Sequence, residues 1–132
     1  ARREVDAAIL AEAGIARLGK LEWIAQRFDA AAMVPAPGQG ALAIEARAGS
    51  RAAALAAAID DDSLRTLLTA ERLLLAETGA GCRSALGALA TWVEGMIRLE
   101  AFVADDLGPR HFLAFGETPE AVVADVRKGL EL

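Results

Sequence analysis

One cysteine, Cys82, and one histidine, His111, are the whole supply of soft or imidazole ligands in 132 residues, and tyrosine is absent. A single thiol excludes an internal disulfide and suits a reducing compartment, so a cytoplasmic location is expected. One sulfur and one imidazole, far apart in the chain, leave no basis for a zinc site, and no metal is expected. Long apolar runs are also missing. No stretch approaches the about 20 residues that a bilayer span requires, and the opening Ala1-Arg2-Arg3-Glu4-Val5-Asp6 has no signal-peptide core, so no membrane partner is expected. Basic charge is in short supply: 14 Lys and Arg stand against 19 Asp and Glu, a formal charge of −5. That balance argues against a surface built to grip nucleic acid or anionic lipid.

What is present is apolar. Hydrophobic residues make up 55% of the chain, enough for one domain or two small ones, although much of that share is alanine, which buries little area per residue. Residues 5–11 form a short apolar run of buried-strand type, closed by a compact turn at Ala13-Gly14. Leu21, Ile24 and Phe28 fall at helical spacing and predict a short amphipathic helix over 21–28. Val34-Pro35-Ala36-Pro37-Gly38-Gln39-Gly40 admits neither helix nor central strand and reads as a hinge or shaped loop. Residues 41–47 follow as a strand, and 51–59 as an alanine-rich helix ending in Asp60-Asp61-Asp62. One of those aspartates, or Ser63, is suited to cap the next helix, 63–78. There Leu64, Leu67, Leu68, Leu74 and Leu75 form an apolar stripe and Gly79 supplies the stop. Beyond Cys82 the period falls to two: Ile97, Leu99, Ala101 and Val103 alternate with Met96, Arg98, Glu100 and Phe102. With tight turns at Glu94-Gly95 and at 105–108, residues 88–116 predict a three-stranded antiparallel meander. A last helix begins at Thr118 with Pro119 in its first turn and buries Val122, Val123 and Val126.

Three segments invite functional readings. Gly38-Gln39-Gly40-Ala41-Leu42-Ala43 fits the letters of a dinucleotide fingerprint, but prolines precede it and a strand-like stretch follows, the reverse of the strand-then-helix setting that places a helix end at a pyrophosphate. Cys82 stands in Gly79-Ala80-Gly81-Cys82-Arg83-Ser84. A lone cysteine is more often a small buried hydrophobe than a reactive group. Against that, Arg83 favours the thiolate, and a glycine-rich loop is a poor place to bury a side chain. Arg17, in Ala13-Gly14-Ile15-Ala16-Arg17-Leu18-Gly19, occupies a turn after the first apolar run, where α/β proteins place ligand contacts, although a solvated arginine is the ordinary alternative. His111 receives no role, and Trp23 and Trp92 read as packing residues.

Three blocks together resemble the porphobilinogen deaminase family, in its order and near its spacing. They are Asp6-Ala7-Ala8-Ile9-Leu10-Ala11 running into Ala13–Gly19; Pro35-Ala36-Pro37-Gly38-Gln39-Gly40-Ala41-Leu42-Ala43-Ile44-Glu45; and Thr69-Ala70-Glu71-Arg72 followed by Gly81-Cys82. The resemblance implies a transferase of tetrapyrrole and heme biosynthesis that joins four porphobilinogen molecules, releasing ammonia at each addition, to give hydroxymethylbilane. It places at Cys82 the thioether to a covalent dipyrromethane cofactor. Arg17 falls where the family pairs an arginine with acetate and propionate groups, and Gln39 where a hinge glutamine faces the same cleft. Near the cysteine, Ala80 replaces a usual glycine, and Ser84-Ala85-Leu86-Gly87 replaces a stretch with proline and isoleucine.

The implied fold is α+β with α/β parts. Residues 1–34 would end a second domain of a periplasmic-binding-protein-like pair, and 35–61 would be the hinge with a returning strand and helix of the first. Residues 62–132 would form a small domain with a three-stranded antiparallel sheet and helices on one face. By the same resemblance the catalytic aspartate and most of the family's arginines belong to an amino-terminal half outside these residues. No catalytic residue is therefore assigned here, the chain alone is expected to be inactive with a free thiol, and that half is its expected partner. The intact enzyme is expected to be a monomer. The competing expectation is a non-catalytic binding or interaction domain with a structural cysteine.

Overall fold

A computed structural model describes residues 5–79 and 85–131. Within them lie helices α1 (Glu12–Arg17), α2 (Arg51–Ala57), α3 (Asp62–Glu77) and α4 (Pro119–Leu130), and strands β1 (Ala85–Val93), β2 (Met96–Asp105) and β3 (Gly108–Gly116). The strands form an antiparallel sheet in the order β1-β2-β3. The Glu94-Gly95 turn closes the first hairpin, with both residues at positive φ (51° and 82°) and Val93 paired to Met96. That is the backbone a two-residue hairpin needs to match strand twist. At the second turn Asp105 pairs with Gly108, and the Asp105 carboxylate accepts the Leu107 amide at 3.0 Å.

Register decides which face is buried. Leu86, Ala88 and Ala90 of β1 lie across from Val103, Ala101 and Leu99 of β2, and Ala101 and Leu99 lie across from Phe112 and Ala114 of β3. Helices α3 and α4 pack on this face, bringing Leu74, Val122, Val123, Val126 and Leu130 into the core. The small residues of the sheet allow close approach: a Cβ on Gly116 would sit 2.9 Å from the Val122 nitrogen.

The caps follow local chemistry. Asp61 accepts the Leu64 amide at 2.9 Å at the start of α3, and Thr118 accepts the Ala121 amide at 3.2 Å at the start of α4, with Pro119 next. Ser63 is left free of capping and accepts Trp92 Nε1 at 2.7 Å, tying the start of α3 to the end of β1. Gly79, at φ 64°, ends α3 as expected.

The first half departs from the sequence-based expectation. Residues 5–11 are not a strand but exposed chain without regular structure, with Ile9 68% accessible, and the expected turn after them is the six-residue α1. The helix expected over 21–28 shrinks to one 3-10 turn, Leu21–Trp23. Residues 41–47 are likewise unpaired, and Leu42 is 88% accessible. Both strand expectations fail for one reason: a strand persists only where a neighbour satisfies its amides and covers its apolar face, and the described sheet contains only β1, β2 and β3. The helix fails because so short a segment depends on tertiary packing, and the element it packs against is the equally short α1. Residues 51–57 do form their expected helix, capped by Ser50, which accepts the Ala53 amide at 3.1 Å.

Candidate functional site

The proline- and glycine-rich loop is fastened to the sheet domain. Val34 lies over Gly87 on the sheet face away from the helices, where a Cβ on Gly87 would come within 2.7 Å of the Val34 carbonyl oxygen. One residue on, the Pro35 carbonyl accepts the Ala88 amide at 2.8 Å. The chain then turns, with the Gln39 amide donating to the Ala36 carbonyl at 3.0 Å, and Gly38 and Gly40 at φ 75° and 88°. On the helix side the Gly38 amide donates to Glu71 Oε2 at 2.7 Å, while Glu71 Oε1 accepts the Ala90 amide at 2.9 Å. Residues 34–38 therefore wrap the outer edge of β1, and the Glu71 carboxylate, 5% accessible, locks loop, helix and strand together.

This geometry weighs against the nucleotide reading. The first glycine of the fingerprint spends its amide on Glu71, and no helix starts until Arg51. Backbone amides already bound to a carboxylate are not available to phosphate.

Among the residues singled out from sequence, Cys82 lies outside the described residues, as does neighbouring Arg83; the connection that holds them leaves α3 after Gly79 and enters β1 at Ala85, which pairs with Ala104. Arg17 is in the last turn of α1, exposed, and among the described residues its guanidinium has no ion-pair partner. The nearest acidic residue on its own helix, Glu12, is taken by Arg27 at 2.9 Å. Gln39 is exposed, its side-chain oxygen at 3.4 Å from the Ala36 amide. No hydrogen bond or ion pair joins Arg17 to Gln39 among the described residues, and α1 packs only on the Leu21–Trp23 turn.

Two residues passed over in the sequence acquire roles. Glu71 falls on the leucine stripe of α3, three or four residues from Leu67, Leu68, Leu74 and Leu75, so helical spacing alone predicts a buried carboxylate there. Glu100, 3% accessible, lies on the other face of the sheet, where its two oxygens receive Arg98 Nη2 at 2.7 Å and His111 Nε2 at 3.0 Å. Alternation puts it on the polar face; its diagonal cross-strand partner His111 is one that spacing does not reveal.

Residues 1–55 match a family described as porphobilinogen deaminase, dipyromethane cofactor binding domain. Arg17 and Gln39 fall inside that match and Cys82 outside it. Among curated proteins, the porphobilinogen deaminase of Mycobacterium leprae (strain TN) is 51% identical over 94 residues, 70% of this chain and 30% of the relative. That of Mycobacterium ulcerans (strain Agy99) is 47% identical over 112 residues, 84% of the chain and 35% of the relative. That of Acidothermus cellulolyticus (strain ATCC 43068 / DSM 8971 / 11B) is 46% identical over 111 residues, 80% of the chain and 34% of the relative. The chain thus spans about a third of the length of these relatives.

Proposed function

The chain belongs to the porphobilinogen deaminase family, and we propose that it is a carboxy-terminal portion of such an enzyme, contributing the attachment and part of the cradle of its dipyrromethane cofactor. The observation that carries this reading is identity of 46–51% to named porphobilinogen deaminases over 70–84% of the chain. The side chains suit the group. An exposed guanidinium without an acidic partner among the described residues is available to an acetate or propionate, and Gln39 is exposed on the proline- and glycine-rich loop.

Cys82 is the attachment residue in this reading. A thiolate is the side chain fit to form a carbon–sulfur bond at the electrophilic methylene left when an aminomethylpyrrole loses ammonia, and the resulting thioether endures. When bound, the dipyrromethane supplies the primer on which four porphobilinogen units are joined. Arg17 holds carboxylates, Gln39 orients them, and the Glu71 lock keeps the loop bearing Gln39 fixed against the domain whose α3–β1 connection contains Cys82. The catalytic aspartate lies in the family's amino-terminal part, so the 132 residues are inactive alone. Residues 1–34 and 35–61 then belong with a periplasmic-binding-like pair and 62–132 form the cofactor-carrying domain. A reducing, cytoplasmic setting suits a working thiol.

The test is intact mass of the chain co-produced with the amino-terminal part of a relative. A dipyrrole-sized adduct that disappears in Cys82→Ser is expected. An unmodified thiol in that complex, or an adduct that survives Cys82→Ser, overturns the assignment.

A further inference from the structure

Glu71 stands between the two arms of the connection that holds Cys82. It belongs to α3, the arm that enters the connection, and its Oε1 accepts the Ala90 amide of β1, the arm that leaves it, at 2.9 Å. Its other oxygen accepts the Gly38 amide at 2.7 Å, and Gly38 is the immediate neighbour of Gln39. One carboxylate is therefore bound at once to both arms of the connection and to the loop that carries Gln39.

The apolar contact around it does little to set register. Where α3 packs on β1 the buried side chains include Ala70, Ala88 and Ala90, which are too short to interlock, and burial of apolar surface is non-directional. Two polar ties supply direction. At the end of the contact remote from the connection, Trp92 Nε1 donates to the exposed Ser63 at 2.7 Å. Glu71 is the other tie, and it is buried, nearer the connection and shared with the loop. A carboxylate is needed because the two amides arrive on different oxygens. A carboxamide of the same size has only one oxygen to offer them.

We propose that Glu71 is a positioning residue for the covalent cofactor: it fixes the separation between Cys82 on the connection and Gln39 on the loop, so that the attachment point and a polar contact of the dipyrromethane are presented as one unit. It acts through the backbone, at Gly38 and Ala90, and takes no part in bond making. The inference rests on the reading of Cys82 as the attachment residue. Its physical content, a Cys82–Gln39 separation set by Glu71, is measurable without the cofactor.

Spin labels on Cys82, the one native cysteine, and on Gln39→Cys in the 132-residue chain measure that separation. A single narrow distance distribution is expected, and Glu71→Gln should broaden it. Glu100→Ala is the control: it removes a buried carboxylate from the same sheet, one whose partners are Arg98 and His111, and should leave the distribution as in the parent. In the complex with the amino-terminal part of a relative, Glu71→Gln should keep the Cys82-dependent adduct. Its kcat for porphobilinogen should fall about tenfold or more with KM nearly unchanged, since a primer misplaced by about 1 Å reacts slowly although substrate still binds. Glu100→Ala should keep the parent's kcat. A distribution that Glu71→Gln leaves narrow overturns the proposal, as does equal broadening by Glu71→Gln and Glu100→Ala, or a parental kcat in a fully loaded Glu71→Gln complex. A parent complex without adduct overturns the attachment reading instead, and the distance measurement still decides the role of Glu71.

Discussion

The Gly38 amide and the Glu71 carboxylate meet at 2.7 Å across 33 positions of sequence, and this bond is the reason the hinge-like loop has a defined place. Glu71 also accepts from Ala90 at 2.9 Å. One side chain thereby closes the edge of β1 and anchors a segment that has no regular structure of its own.

Glu71→Gln isolates the value of that double acceptance. A carboxamide keeps one oxygen and turns an NH₂ toward the other donor, leaving one amide unmet in a site almost closed to water. The expected cost is about 1–3 kcal/mol in denaturant unfolding. Hydrogen exchange should quicken at Gly38 and Ala90 ahead of the rest of the sheet. Unchanged protection at both amides would show that the carboxylate is incidental to the loop.

Gly87→Ala probes the same wrap from the other face. The added methyl would lie 2.7 Å from the Val34 carbonyl oxygen and 3.0 Å from its Cβ, closer than atoms tolerate, and the nearest atom belongs to the backbone. The segment has to lift away, breaking the Pro35–Ala88 bond with it. Faster exchange at Ala88, with the β2–β3 amides unaffected, is the expected pattern. A variant with the parent's protection at Ala88 would contradict the packing described.

These two positions also show what was legible beforehand. The meander, its Glu94-Gly95 turn, α3 with its Gly79 stop and the Thr118-Pro119 start of α4 were all written in local signals: alternation, turn residues and caps. They needed only neighbours in sequence. Residues 5–11 and 41–47 carry strand composition, but a strand is a property of a pair, and composition does not say whether a partner is at hand. Of the candidate site, the loop is recognisable from its prolines and glycines, whereas its fastening is not, because the leucine stripe marks Glu71 as buried but says nothing of the two amides, 33 and 19 positions away, that it accepts. Arg17 and Gln39 are where their segments put them, exposed and unjoined.

Glu100 offers a graded test of the other sheet face. Its carboxylate receives Arg98 on one oxygen and His111 on the other, and its side chain is almost wholly enclosed while that of His111 is about half exposed. Glu100→Ala strips two donors of their acceptor and leaves the Arg98 charge partly buried, a loss of about 1–3 kcal/mol. His111→Ala leaves the Arg98 pair standing and should cost clearly less. Chemical denaturation of the two variants side by side checks the order, and a larger loss from His111→Ala would reverse the assignment of the carboxylate as the centre of the group.

Gly129→Ala is expected to run against helix propensity. In an exposed helix interior, alanine is favoured over glycine by about 1 kcal/mol, and Gly129 lies within the last turn of α4 at an ordinary helical φ. Here, however, a Cβ would stand 2.2 Å from Cε2 of Phe112 and 2.3 Å from its Cζ. The ring packs flush on the helix because no side chain is there, so the substitution overfills the α4–β3 contact at a cost of about 1–3 kcal/mol, enough to reverse the propensity gain. Thermal unfolding should show a lower Tm for Gly129→Ala. Phe112→Leu should lower the Tm alone but recover part of the loss when combined with Gly129→Ala, since the smaller side chain gives the methyl room. Strict additivity of the two substitutions would mean that ring and glycine do not share the space.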